Sequence, residues 1–454
     1  MRPVEGSPDL LLFLLDLNSN ILMAQTRPPS SHIIDKLPDP VLSDIFVFAC
    51  RHGEAISMSN RARLAFCYVL SSVSHRWRMI ALSTSKMWSS VNVLYRAEHL
   101  ATHLARSREI AIDISLNLIH LDAPHPIEDI QKSLDVLRDT GHWGRARSLE
   151  VGLSEAFSEV SSAVVDILNS MIDVNPSCNF QTIAVRFTDD DYGFLEIPDI
   201  DAIHPELSLP YSPTLQSIRL DQVYLSLTHV LHTPLPDLRL VELTRINLGI
   251  SNLLYPLLSL SPNLTEMRLS SCSFWHGASD FTQLPSITLP KLETLSIYYA
   301  DNLVPLGTIL QACDLPNPKS LVLVMEPSLA FYDEEWAVDW GAIISRYHTL
   351  ENLHIGGLSS GILAHLHSKM DKLNKLIQFK IESDSFSHPE THFRHLVLQL
   401  LGASCCPMLQ ILHFEPSLSE KTMDSIHRLR LQRPSLQVCA RSDGKIVVRD
   451  PTNP

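Results

Sequence analysis

A six-residue template, L-x-x-L-x-L, recurs along the C-terminal half of the chain and constrains its fold more than any other feature. It is matched at Leu215/Ile218/Leu220, Leu238/Val241/Leu243, Leu264/Met267/Leu269 and Leu292/Leu295/Ile297. It returns at Leu350/Leu353/Ile355, Leu376/Phe379/Ile381 and Leu409/Leu412/Phe414. Looser copies stand at Leu149/Val151, Ile183/Val185 and Leu321/Leu323. The last two template positions are two residues apart, the period of an extended strand with one buried face. A single such strand cannot bury its apolar side, so successive copies must stack on one another.

The tight copies begin at positions 215, 238, 264 and 292, so the step grows from 23 to 28 residues. That range is the period of leucine-rich repeats, in which each unit adds a strand to one face and a helix or irregular segment to the other. The expected fold class is therefore α+β: a small helical N-terminal region, then an irregular leucine-rich-repeat-like α/β solenoid over residues 107–454, with a parallel sheet on its concave side. The positions alternating with the buried ones would project from that sheet. Among them Arg219, Arg268 and Tyr298 are the residue types that dominate protein-binding hot spots. Glu242, His354, Lys380 and His413 complete the candidate target-binding face.

Residues 1–31 read as a flexible lead. Their one apolar run, residues 10–15, is shorter than the roughly 20 residues of a membrane span, and it closes at Asp16. The lead ends in Arg27-Pro28-Pro29-Ser30-Ser31, a linker composition. Residues 32–106 read as mostly helical. Pro38 and Asp39 suit a helix start. Val41, Ile45 and Phe48 form one stripe beside Leu42, Phe46 and Ala49, so the helix needs two apolar neighbours. After a polar break at 53–60, Phe66, Val69, Leu70, Val73, Trp77 and Ile80 predict one continuous helix, ending near Ser83 before a short strand over residues 90–94.

Two segments of this region, Leu37-Pro38-Asp39-Pro40-Val41-Leu42-Ser43-Asp44-Ile45-Phe46 and Val73-Ser74-His75-Arg76-Trp77-Arg78-Met79-Ile80-Ala81, resemble the two halves of an F-box. With the Ser83–Trp88 continuation, Leu104-Ala105-Arg106-Ser107 and Ile112-Asp113-Ile114-Ser115-Leu116, they are similar to the F-box-like proteins of mushroom-forming fungi, in which an insert commonly parts the halves. Ser74 and His75 stand where that family more often has a cysteine and a basic residue. The resemblance implies a substrate receptor of a cullin-based ubiquitin ligase, without an active site or cofactor of its own. Its F-box would dock on the ligase adaptor subunit through Leu37, Pro38, Val41, Leu42, Ile45, Phe46, Val73, Trp77 and Ile80. The repeat domain would take an unknown protein target.

Burying five of the docking residues (Leu37, Leu42, Ile45, Phe46 and Trp77) would yield roughly 7–15 kcal/mol, against an association cost of about 4–15 kcal/mol. The five alone break even. The alternative is a repeat scaffold with no ligase link, its helical start acting as a terminal cap.

Composition narrows the rest. Lys+Arg 36 against Asp+Glu 50 gives a net charge of −14, which offers no general attraction to nucleic acid or anionic membrane. None of the 8 cysteines forms C-x-x-C, and most lie in apolar segments. This reads as an intracellular protein, cytoplasmic or nuclear, with reduced thiols. Gly357-Leu358-Ser359-Ser360-Gly361 matches the nucleophile-elbow pattern G-x-S-x-G, with Asp384 and His388 following. Every repeat supplies a strand, turn and helix, so a serine hydrolase using Ser359 is only a remote third reading. His365/His367, His392/His395 and Asp189-Asp190-Asp191 lack the companions of a metal site. Cys405-Cys406 reads as two packed thiols, and Trp143, Trp275, Trp336 and Trp340 as fillers between repeats, Trp336 and Trp340 otherwise as an exposed loop.

Overall fold

The computed structural model describes residues 33–52, 60–119, 126–174, 178–188, 206–227, 233–246, 248, 254–272, 286–300, 307, 310–325, 343–344, 346–356, 369–382, 400, 405–414, 420–442 and 445–449. The chain mixes helix and strand, and its strands are overwhelmingly parallel. It divides into two units, Met1–Val151 and Gly152–Pro454. The boundary falls inside a strand rather than at 106/107, so residues 107–151 belong with the helical region.

In the first unit, α1 (Asp39–His52), α2 (Asn60–Val73) and α3 (His75–Ser83) lead through a 3-10 turn, Ser85–Trp88, into β1 (Ser90–Asn92). Then come α4 (Ala97–Ser107), β2 (Ile112–Asn117), α5 (Ile127–Asp139) and β3 (Ala146–Ser154). The single helix expected over 66–80 is two helices. Ser74 adopts an extended backbone, φ −154° and ψ 164°, and its Oγ accepts the Trp77 amide at 3.1 Å. Serine at an N-cap satisfies a donor that the helix cannot. The apolar spacing runs straight through this break, so periodicity alone could not reveal it. The strand expected over 90–94 stops at Asn92, whose side chain accepts the Leu94 amide at 2.9 Å and turns the chain.

The helices share one core. Leu42, Phe46, Cys67, Leu70, Trp77, Ile80, Ala81, Met87 and Trp88 are buried together. Phe46 and Trp77 meet at 4.8 Å between ring centroids, and Trp88 Nε1 donates to the Ala81 carbonyl at 2.8 Å. Strand β2 alternates buried Ile112, Ile114 and Leu116 with part-exposed Asp113, Ser115 and Asn117, and it pairs parallel with β1.

The second unit begins, after the end of β3, with α6 (Ser158–Val174) and β4 (Thr182–Thr188). The ladder continues with β5 (Ser217–Asp221), β6 (Leu240–Thr244), β7 (Glu266–Ser270), β8 (Thr294–Ala300) and β9 (Ser320–Met325). It ends with β10 (Asn352–Gly356), β11 (Gln378–Glu382), β12 (Ile411–Phe414), β13 (Gln437–Ser442) and β14 (Lys445–Arg449). From β4 to β13 each strand pairs parallel with the next one in the chain, and only β14 is antiparallel.

The register sets Ile183, Ile218, Val241, Met267, Leu295, Leu321, Leu353, Phe379 and Leu412 side by side, all buried. The first leucine of each tight copy closes the turn before its strand: Leu215, Leu238, Leu264, Leu292, Leu350, Leu376 and Leu409 each donate an amide to the carbonyl three residues back. The three apolar template residues of each of the seven tight copies are no more than 4% exposed. Among the described residues no helix is long and apolar enough to cross a membrane.

Removing the cap at residue 74 leaves the Trp77 amide without its side-chain acceptor. Ser74→Ala should lower the unfolding free energy by about 1 kcal/mol and Ser74→Asp should retain it, read by urea titration. An unchanged midpoint for the alanine variant would show that the cap is not needed.

Candidate binding surfaces

The nine residues expected to dock on an adaptor divide sharply. Leu42, Phe46, Trp77 and Ile80 are 1%, 2%, 7% and 5% exposed and form the core of their own unit. The docking expectation fails for these four, because their apolar surface is already removed from water. Leu37 and Ile45 are half-buried against the same core. Pro38 is exposed, as are Val41 at 43% and Val73 at 37%. Met79, at 54%, is an exposed apolar residue that the stripe reading passed over, since it lies off the Trp77/Ile80 side of α3. Arg76 fastens α3 to the start of α1: its Nε donates to Asp39 Oδ1 at 2.9 Å, and Nη2 donates to the Leu37 carbonyl.

Inside this unit a cavity of about 330 Å³ is lined by Cys50, Cys67, Tyr95, His103, Asp113 and Arg147 among others. Arg147 clasps Asp113 through Nε at 3.0 Å and through Nη2. The sulfurs of Cys50 and Cys67 lie 3.3 Å apart, and the Cys50 contact lowers the Cys67 thiol below its usual range. His103 is 2% exposed and sits among Trp88, Tyr95 and Tyr68, with ring centroids 4.9, 5.2 and 5.5 Å away. Neither ring nitrogen has a hydrogen-bond partner among the described residues. Burial, then Arg106 and His99, lower its pKa from 6.5 to about 4. The imidazole therefore packs as a neutral aromatic ring.

The expected target-binding residues all fall on the polar side of the second unit's strands. The register aligns Arg219, Glu242, Arg268, Ser296, Val322, His354, Lys380 and His413 in one row. Tyr298 lies in the next row, with Val324, Gly356 and Glu382. Its ring meets His354 edge-on at 6.5 Å. Glu382 is the hub of this end. His354 Nε2 stands 2.8 Å from Oε1, and Lys380 Nζ donates to the same oxygen. His354 and then Lys380 pull the Glu382 carboxyl down from 4.5 to about 2, against the burial that would raise it. Gly356 makes room for it: a β-carbon there would come within 3.1 Å of the Glu382 β-carbon.

At the other end, Arg219 Nε approaches Glu242 at 3.5 Å and Arg268 Nε donates to Glu266 at 2.6 Å. Asp221 accepts from Arg245 at 2.9 and 2.8 Å, with Arg186 farther off at 3.9 Å. Sequence reasoning places Glu382 on the face that alternates with the buried positions, though not among the chosen target-binding residues, and passes over Arg186 and Arg245. Glu382 and Arg186 occupy the same alternating positions as the chosen residues, a signal already present in the template. Arg245 lies one residue beyond its strand, at φ 50°, and has no such signal.

Cys405 and Cys406 are buried free thiols, and Trp143 is buried at 2%. Ser359 with its flanking glycines, Asp384, His388, His365, His367, His392, His395, residues 189–191, Trp275, Trp336 and Trp340 lie outside the described residues, as do residues 1–31. The chain matches no protein-family model and no curated protein sequence.

Two titrations test these environments. His103 has a folded pKa below its unfolded value, so its environment is harmless above about pH 6.5; below that, the unfolded chain takes up a proton that the folded chain resists. Stability should fall by about 3 kcal/mol between pH 6.5 and 4 from this group, and His103→Phe should flatten that limb of a urea-midpoint profile. Glu382 is also depressed, so its contribution is present above about pH 4.5 and is lost toward about pH 2. Glu382→Gln should cost about 1–3 kcal/mol at pH 7 and converge with the parent near pH 2, as followed by thermal melting.

Proposed function

We propose that this chain is a substrate receptor of a cullin-based ubiquitin ligase, with an F-box-like helical start that docks on the adaptor subunit and a leucine-rich-repeat-like domain that holds a target protein. The reading rests first on the two F-box-like segments. It is supported by apolar side chains left in water on the helices that carry them: Val41, Val73 and Met79, beside exposed Pro38. With Leu42, Phe46, Trp77 and Ile80 committed to the core, docking energy comes from this outer set together with half-buried Leu37 and Ile45. The second half of the reading is supported by the parallel ladder, one strand per template copy, which presents an ordered polar face.

One observation favours a second reading. The same four buried residues are what a purely structural terminal cap would bury, so a repeat scaffold without a ligase link also accounts for the helical core.

Purified ligase adaptor offered to the full chain separates the two. Capture by the parent protein, reduced at least tenfold by Val41→Asp combined with Met79→Asp while the urea midpoint holds, supports docking through the exposed set. Exposed substitutions of this kind change stability by about 0.5 kcal/mol or less. Equal capture by the parent and the double variant, or no capture by the parent, would overturn the adaptor-docking reading.

A further inference from the structure

We infer that the β4–β7 end of the polar face binds an acidic, extended peptide segment of the target, through Arg186, Arg219 and Arg268. This rests on the reading of that face as the target-binding surface and adds the chemistry of what it takes. The three guanidinium side chains are 65%, 57% and 49% exposed, whereas the carboxylates between them, Asp221, Glu242 and Glu266, are 20%, 32% and 30% exposed. The cations therefore form the layer that meets solvent. Asp221 is already held twice by Arg245, itself only 15% exposed, which leaves Arg186 in excess at 3.9 Å. Among the described residues neither the Arg186 nor the Arg219 side chain makes a hydrogen bond; each only approaches a carboxylate through Nε. Their terminal Nη groups, the part of arginine that grips a carboxylate in two-point fashion, remain available. Among the described residues of this patch four arginines stand against three carboxylates, in a chain of net charge −14.

Geometry sets the spacing. Arg219 and Arg268 share a row and are separated by one strand, that of Glu242, hence lie about 10 Å apart. A peptide extended as a polyproline II helix rises about 3.1 Å per residue and returns to the same face every third residue, so carboxylates at every third position, about 9 Å apart, match the pair. A short peptide senses the patch within a Debye length of about 8 Å. A long polyanion also meets the negative charge of the remaining chain, which disfavours nucleic acid.

The test is fluorescence polarisation of a labelled twelve-residue peptide carrying glutamate at every third position, titrated with the full chain. A glutamine counterpart and a single-stranded oligonucleotide of equal charge run alongside. Binding of the glutamate peptide at least tenfold tighter than its counterpart, weakened tenfold or more by Arg219→Glu with Arg268→Glu and also by the milder Arg219→Gln with Arg268→Gln, supports the inference. Equal binding to parent and variants, equal binding of the two peptides, or tighter binding of the oligonucleotide would overturn it. Adaptor capture, measured on the same samples, distinguishes the two ideas. Its loss with peptide binding intact sinks the ligase reading alone; its persistence with Arg-independent peptide binding sinks this inference alone.

Discussion

The parallel register is the constraint on which the second unit depends. Each strand offers side chains alternately to two sides, and a slip of one residue would exchange them all. Because Leu353 lies against both Leu321 and Phe379, and each of those against another buried neighbour, no strand can slip without exposing its own apolar row and disrupting the adjacent ones. The polar face follows from the same requirement. Nothing in the charges need attract Arg219, Glu242, Arg268, His354 and Lys380 into a row; they line up because the leucines beside them do. A surface for recognition is thus a by-product of burying the opposite side.

The sequence was most readable where one residue serves both periodicity and burial. All seven tight copies lie on their expected strands, since leucine at those positions reports a buried face directly. The turns were not readable. Gln222, Arg245 and Ser271 each stand one residue beyond β5, β6 and β7 with φ between 50° and 55°. Each sends its amide to the following strand, to the carbonyls of Thr244, Ser270 and Tyr298 respectively. The left-handed region favours glycine or asparagine, yet none of the three is either, so composition gave no hint of a turning device that recurs in three successive repeats. The tertiary hydrogen bond offsets the local preference.

The helical region failed differently. An apolar stripe states that a surface leaves water but not which partner covers it, so Leu42 and Val41, adjacent and both apolar, read alike. Only the packing of α1 against α3 separates them: Leu42 is 1% exposed and Val41 43%. The polar residues fix that orientation. Ser74 stops one helix and starts the next, and Arg76, two residues on, reaches back to Asp39 and the Leu37 carbonyl. The core residues determine that the helices pack, and these polar contacts determine which apolar side chains are left outside.

The charge of the β4–β7 face shows how little net charge says about a surface. Arginine is longer than glutamate or aspartate, so in a row that alternates them on neighbouring strands the carboxylate lies nearer the sheet and the guanidinium caps it. The pair is neutral when counted and cationic when approached. Glu382 shows the converse: with Lys380 and His354 both turned onto it, and Gly356 leaving space beside it, its partner side chains are drawn inward and reach 23% and 16% exposure. One strand ladder therefore carries two kinds of surface, an outward-facing cationic one where arginines overhang their partners and an internally satisfied one where a single carboxylate gathers its partners. Exposure of the paired atoms, rather than their number, separates a surface free to bind from one already occupied by its own contacts.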